Sequence, residues 1–305
     1  MKTGEKMEKI KVENVKYEIT KIDFNDEMYP EKLRKIYGPP MELYLIGDVS
    51  LLNRKSIAIV GSRRCSEYGK IVATKIGSRA AAVGVTVVSG MASGIDSFGH
   101  KGALKAGGDT VAVLGCGIDI CYPKSNYKLY EEIAESGLIV SEFPLGYMPL
   151  PHNFPIRNRI ISGLSDKVVV VEAQTKSGSI ITAELANEQG KEVFAVPGNI
   201  NSQYSIGANK LISDGAQIVS TIDDIFSEIA CDDVYDKEEL NNLGNDEKRI
   251  VEYIRKNGET EMERVCSELD ISPSKINGLI SVLEIKGYIS YSMGKIFAIN
   301  FCLPK

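Results

Sequence analysis

Between residues 56 and 219 the chain repeats one pattern: a short run rich in Val and Ile, then a stretch long enough for a helix. The runs stand at 57–60 (IAIV), 85–89 (VTVVS), 110–114 (TVAVL), 138–141 (LIVS), 167–172 (KVVVVE), 192–196 (EVFAV) and 217–219 (QIV). Several are apolar throughout, as a strand covered on both faces must be. The spacing predicts helices at about 67–83, 96–107, 125–136, 156–164, 178–190 and 205–214, with 221–229 closing the unit. Strands that alternate with helices assemble as a mainly parallel sheet between helical layers, an α/β architecture.

The flanks follow other rhythms. Residues 1–54 read as an N-terminal extension and a short lead-in, with ELYLIG (42–47) a candidate edge strand. Residues 245–305 carry an amphipathic helix with apolar Ile250, Val251 and Ile254. A helix, a turn and a helix opened by Ser272-Pro273 follow, then a two-strand wing around Met293-Gly294. That order predicts a small winged-helix domain. The net charge of −5 has one source: residues 1–54, 55–226 and 245–305 carry 10 and 10, 16 and 16, and 9 and 9 positive and negative side chains. Residues 227–244 carry 1 and 6 and read as an acidic linker. The total therefore does not exclude a local basic groove in the α/β unit.

Other classes are disfavoured. No apolar run approaches the roughly 18–20 residues of a membrane span, and the charged N-terminus lacks the apolar core of a signal peptide. Six cysteines (65, 116, 121, 231, 266 and 302) form no CxxC pair, and there are two histidines. The cysteines read as buried thiols of a cytoplasmic protein, and no zinc site is expected.

Ligands of open parallel sheets bind beyond the carboxyl ends of the strands. VGSRRCSEYG (60–69) lacks GxGxxG. Gly61 and Ser62 still allow a tight turn, and the amides ahead of the helix at Glu67 form an anion mouth in which Arg63 stands. SGMASGIDSFGHKGA (89–103) brings Ser89 and glycines 90, 94, 99 and 102, which let backbone approach a ligand. Asp96 reads there as a helix N-cap and His100 as packing. GCGIDICYPKSNYK (115–128) sets Lys124 at a helix start, where an ammonium can meet a phosphate. HNFPIRNRIISG (152–163) joins Asn153 and Phe154 to Arg157 and Arg159, and QTKSGSIITAELA (174–186) places Lys176, Ser177 and Gly178 before a helix.

Cations interleaved with Tyr122, Phe143 and Phe154 at one sheet edge are what single-stranded nucleic acid requires: a charged track with rings on which bases stack. Arg157 and Arg159, about 200° apart on a helix, cannot share one phosphate. One faces the groove while the other pairs with a carboxylate such as Glu142 or Asp166.

The runs VGSR (60–63), SGMASGID (89–96), YPK (122–124), NFPIRNRIISGLS (153–165), SGSIITAELA (177–186) and VFAVPGN (193–199) resemble, in this order, the DNA-processing family DprA, also called Smf. The resemblance spans roughly residues 23–226, and the segment at 245–305 resembles the C-terminal domain of many members. It implies an extended Rossmann-like fold that binds single-stranded DNA in a pocket, with no enzymatic activity, cofactor or metal. Arg63 and Lys124 match the family's DNA-binding cations. Members dimerise, protect incoming strands during natural transformation and help load RecA. Their dimer contacts, overlapping the RecA face, map to Gly207–Val219, with Lys210, Leu211, Ile212 and Ile218 as candidates. The lead-in has no length for the sterile-alpha-motif-like domain of many members. Pro151 stands where many have lysine, which makes His152 a candidate replacement.

A rival reading is a nucleotide N-glycosidic hydrolase of the lysine-decarboxylase-like family, whose PGGxGTxxE motif SGSIITAE resembles loosely through Gly178, Thr182 and Glu184. The Pro-Gly-Gly cluster is missing, so Glu184 reads as helix surface. A winged-helix transcription factor is the third reading, but the second helix of that domain offers only Lys275, Asn277 and Lys286 for a groove.

Overall fold

The computed structural model describes residues 5–12, 15–226, 229, 243–257, 260–286, 288–292 and 294–298. The chain divides into two units, residues 1–231 and 232–305. The first opens with β1 (Glu5–Val12), β2 (Val15–Asp23), the short α1 (Glu31–Arg34) and β3 (Glu42–Gly47). The alternating part then runs β4 (Ser56–Val60), α2 (Glu67–Ala82), β5 (Thr86–Ser89), α3 (Ile95–Lys105) and β6 (Thr110–Val113). It continues with α4 (Tyr127–Ser136), β7 (Leu138–Ser141), α5 (Asn153–Leu164) and β8 (Lys167–Val170). It closes with α6 (Gly178–Glu188), β9 (Glu192–Ala195), α7 (Ile206–Ser213) and β10 (Gln217–Ile218).

These strands form one ten-stranded sheet in the order β1-β2-β3-β7-β6-β5-β4-β8-β9-β10. The seven strands from β7 to β10 are parallel, and β1, β2 and β3 add on antiparallel. Two sequence expectations change here. ELYLIG is an interior strand, with β2 on one side and β7 on the other. The lead-in from residue 15 belongs to the same sheet, so no boundary falls at residue 54.

The apolar strands are explained by alternation with both faces covered. Ala58 and Val60 join the core under α1, α5, α6 and α7, while Ile57 and Ile59 point into the one under α2 and α3. Gly99 and Gly102, expected to approach a ligand, instead seat α3 on its neighbours: a Cβ at Gly102 would lie 2.2 Å from the Thr74 carbonyl oxygen. Successive crossovers lead from β4 through β5 and β6 to β7 on one side, and from β8 to β10 on the other. The order reverses between β4 and β8, and a crevice opens at such a switch point.

The second unit contains α8 (Asn245–Asn257), β11 (Thr260–Glu261), α9 (Met262–Leu269), α10 (Pro273–Ile285), β12 (Ile289–Ser292) and β13 (Lys295–Ala298). Its strands form an antiparallel sheet in the order β11-β13-β12, and Ile250, Val251 and Ile254 are buried in its core as the amphipathic pattern required. Met293, Cys231, Cys302 and all of the linker 227–244 except residues 229, 243 and 244 lie outside the described residues. No described helix is long and apolar enough to cross a membrane.

Candidate nucleic-acid interface

Two adjoining cavities, of 470 and 250 Å³, open beyond the carboxyl ends of the central strands, at the switch point. They share a wall of Arg63, Arg64, Ala92, Phe154 and Arg157. Gly61, Ser62, Ser177 and Gly178 line the larger, and Gly90, Tyr122 and Pro123 line the smaller. Arg63 and Arg64 are exposed, and among the described residues neither has a carboxylate within ion-pair distance. The Arg63 guanidinium sits 5.1 Å from the centre of the Phe154 ring, and the Tyr122 ring stands 5.5 Å from the same ring. A charged rim and a half-exposed aromatic platform thus share one wall.

The helix N-termini differ in what they offer. At α2 the anion mouth is already taken by the chain's own Glu172, whose carboxylate accepts from Ser66 N at 2.9 Å and from Ser66 Oγ at 2.5 Å. The expectation of a free mouth there is corrected, and Arg63 serves the cavity instead. At α6 the Ser177 side chain caps the Ser179 amide, no acidic residue occupies the first turn, and Ser177, Gly178 and Ser179 all face the cavity. That end remains open to an anion.

Several expected site residues turn out to be structural. Ser89 is buried and donates to the Ile59 carbonyl at 2.5 Å, linking β5 to β4. Gly94 has φ +81° and packs where a Cβ would lie 2.3 Å from the Ser62 oxygen, so it shapes the loop and does not line the cavities. Asn153 is buried and donates to the carbonyls of Gly115 and Met148 at 3.0 and 3.1 Å. Arg159 makes a bidentate pair with Glu142 at 2.7 and 2.6 Å and donates to the Gly38 carbonyl, so it is the arginine that takes a carboxylate partner. Arg157 lines both cavities but is only 3% exposed, its guanidinium turned to backbone carbonyls. Phe143 stacks on Tyr147 at 5.0 Å, outside both cavities. Lys124, which opens the 3-10 turn leading into α4, and Lys176, in the loop before α6, are exposed next to lining residues without lining the cavities themselves. His152 stands outside the cavities while Pro151 lines the larger.

Asp96 is not the N-cap of α3, a place held by Gly94. It is buried in the first turn of the helix and accepts from the Gly90 amide at 3.2 Å. Burial pushes its carboxyl up to about 6 against the opposing pull of Arg157. His100 is packing, as expected: fully buried, with Nδ1 2.6 Å from Thr110 Oγ1. Arg64 and Asn158 line the larger cavity without having been singled out in the sequence, and Thr182, noted there only for the loose hydrolase-motif match, lines it too. The paired arginines of GSRR were the one signal for Arg64. Asn158 and Thr182 face the cavity only because α5 and α6 pack side by side.

On the edge away from β1, Ile218 is 49% exposed on the last strand, and Lys210 and Ile206 are exposed on α7. Leu211, a candidate for a junction between copies, is buried in the core of its own unit, and Ile212 packs against that core.

The DNA recombination-mediator protein A family matches residues 20–230. The chain is 43% identical over 212 residues to the DNA processing protein DprA of Bacillus subtilis, covering 69% of this chain and 71% of that one. It is 43% identical over 203 residues to DprA of Streptococcus pneumoniae, covering 67% and 72%. The crystal structure of the Streptococcus pneumoniae protein is similar with a TM-score of 0.67 and 41% identity, covering 69% and 74%. DNA processing protein A of Helicobacter pylori, studied for its single-stranded DNA binding mode, gives a TM-score of 0.63 and 33% identity, covering 69% and 95%. With the arginine-rimmed crevice at the switch point, these similarities establish that the chain belongs to the DNA recombination-mediator protein A family, DprA or Smf.

Proposed function

We propose that the chain binds single-stranded DNA across the paired cavities, with little sequence preference, and serves DNA recombination or natural transformation by protecting incoming strands. The observation that carries this is the shared wall: two exposed arginines with no carboxylate partner among the described residues, beside a ring platform, in a segment (55–226) whose charges balance overall. Phosphates meet Arg63 and Arg64 at the rim, with Lys124 on one flank, Lys176 on the other and the open amides of α6 within the larger cavity. Bases stack on Phe154 and on Tyr122, which is 41% exposed. The binding mode studied in the Helicobacter pylori relative supports the same polymer as ligand.

Binding without catalysis is part of the proposal. Asp96 is the carboxylate that lines the larger cavity, and it is buried facing Arg157, while Glu184 is exposed on α6 away from the lining. Transfer of the strand to RecA, pairing of two copies through the α7–β10 edge, and action in the cytoplasm complete the reading. They are supported by family membership and by the exposed Ile206 and Ile218. The second unit we read as a winged helix that docks protein. The cations of α10 are tied back to α8, Lys275 to Asp246 at 2.5 Å and Lys286, just past its end, to Glu247 at 2.9 Å, which leaves little charge for a DNA groove.

The test is a titration of single- and double-stranded oligonucleotides at two salt concentrations. Four contacting cations predict a slope of roughly −3 in log affinity against log salt for single strands. Single strands are expected to bind tighter than duplex, and Arg63→Glu to abolish binding. Equal affinity for duplex, or a flat salt response, refutes the proposal.

A further inference from the structure

The dipeptide Arg157-Asn158 touches three walls of the crevice. Arg157 Nη1 donates to the carbonyl of Gly90, just beyond β5, at 2.8 Å, and to that of Val113, the last residue of β6. Its Nε donates to Asn158 Oδ1 at 3.3 Å, and Asn158 Nδ2 donates onward to the carbonyl of Gly178, where α6 begins, at 3.1 Å. The guanidinium also lies 5.9 Å from the centre of the Phe154 ring. Asp96, on α3, supplies the nearby negative charge. The remaining Nη2 lies against Gly90, where a Cβ would stand 2.7 Å from it and 2.8 Å from Asp96 Oδ2. Three of the five N–H groups of this side chain are thus committed to the protein, and the residue is buried.

We infer that Arg157, with Asn158, is a positioning residue of the DNA-binding site. It fixes the spacing of the β5, β6 and α6 ends and steadies the Phe154 platform, and it makes no contact with a phosphate. The inference rests on the single-stranded DNA reading of the crevice and assigns Arg157 a role opposite to that of Arg63, although both are arginines lining the same cavities. The physical difference is that Arg63 brings an uncommitted charge to solvent, whereas Arg157 is buried with three of its five donors already bonded within the protein.

The two roles separate in a salt titration with a single-stranded oligothymidylate. Removing a phosphate contact makes the slope shallower by about 0.7, whereas removing a positioning group lowers affinity at constant slope. Arg63→Met is expected to show the first behaviour. Arg157→Met and Arg157→Lys are expected to show the second, with a loss on the order of tenfold, the share of one stacked base. Gly90→Ala keeps every charge but pushes the guanidinium aside, so it is expected to give the same loss at unchanged slope. In a Phe154→Trp background, where the indole is unique because the chain has no tryptophan, Arg157→Lys is expected to increase acrylamide quenching while circular dichroism stays that of the parent. A shallower slope for Arg157→Met or Arg157→Lys, full affinity in a folded Arg157 variant or in Gly90→Ala, or unaltered quenching overturns the inference. Absence of salt-dependent binding by the unsubstituted chain instead overturns the functional reading on which it rests.

Discussion

His100 gives this fold a specific sensitivity to acid. Thr110 Oγ1 donates its single proton to the Val87 carbonyl at 2.9 Å, so at its 2.6 Å contact with His100 it must accept. Nδ1 therefore carries the hydrogen and Nε2 is bare, buried and without a partner among the described residues. Charging the ring would put a proton on that nitrogen, out of water and within reach of the Arg157 charge. Burial, then Arg157, hold its pKa down to about 3, against an ordinary value of 6.5. Above 6.5 both states are neutral and the stability is fully present. Below 6.5 the unfolded chain gains a proton that the folded chain refuses, so stability is lost as pH falls towards about 3. At 1.5 units below 6.5 the loss is about 2 kcal/mol. Asp96 acts with the opposite sign: its folded value of about 6 lies above its ordinary 3.8, so folding takes up a proton in that window and acid stabilises. Comparing the parent with His100→Asn cancels the Asp96 contribution. That variant keeps a donor for Thr110 and has nothing to titrate. Urea denaturation of both proteins at pH 7 and pH 5, followed by circular dichroism, should show their stability difference moving by about 2 kcal/mol in favour of the variant at the lower pH. A difference that stays constant with pH refutes the argument.

Glu184→Ala is expected to leave single-stranded DNA affinity within about twofold of the parent, because surface substitutions away from a site cost at most about 0.5 kcal/mol. Incubation of the parent with nucleoside monophosphates is expected to release no free base. Base release that disappears in this variant would establish the hydrolase reading instead. Ile218→Arg, at a half-exposed position on a strand with β9 as its one neighbour in the sheet, is expected to give a soluble protein that sediments as a monomer. It should bind short oligonucleotides normally and long ones more weakly, since two linked sites on one strand gain avidity without new contacts. Monomers that hold long strands as tightly as the parent refute the avidity argument.

The architecture of the first unit was legible in the sequence because burial on both faces leaves a local mark. IAIV, TVAVL and KVVVVE can sit only between two helical layers, and the helices between them force parallel pairing. The loops that reach the crevice were legible for a related reason: in such a sheet every loop after a strand opens on the same edge, whatever the strand order. The helical angle between Arg157 and Arg159 required that they serve different partners; that Arg159 is the one that takes a carboxylate, Glu142, was decided by the packed structure. The tertiary structure decided what no local pattern encodes. It placed β8 beside β4, and so brought Ser177 and Gly178 within one cavity with Gly61 and Arg63. It filled the α2 mouth with Glu172, a residue more than a hundred positions away in the chain. It also separated two arginines of identical chemistry: Arg63 was left in solvent, and Arg157 was drawn under the loops to bond the Gly90 and Val113 carbonyls. An arginine's type states that it carries charge and five donors. Whether those donors are free for a phosphate depends on which backbone carbonyls lie within reach, and that is a property of the packed loops.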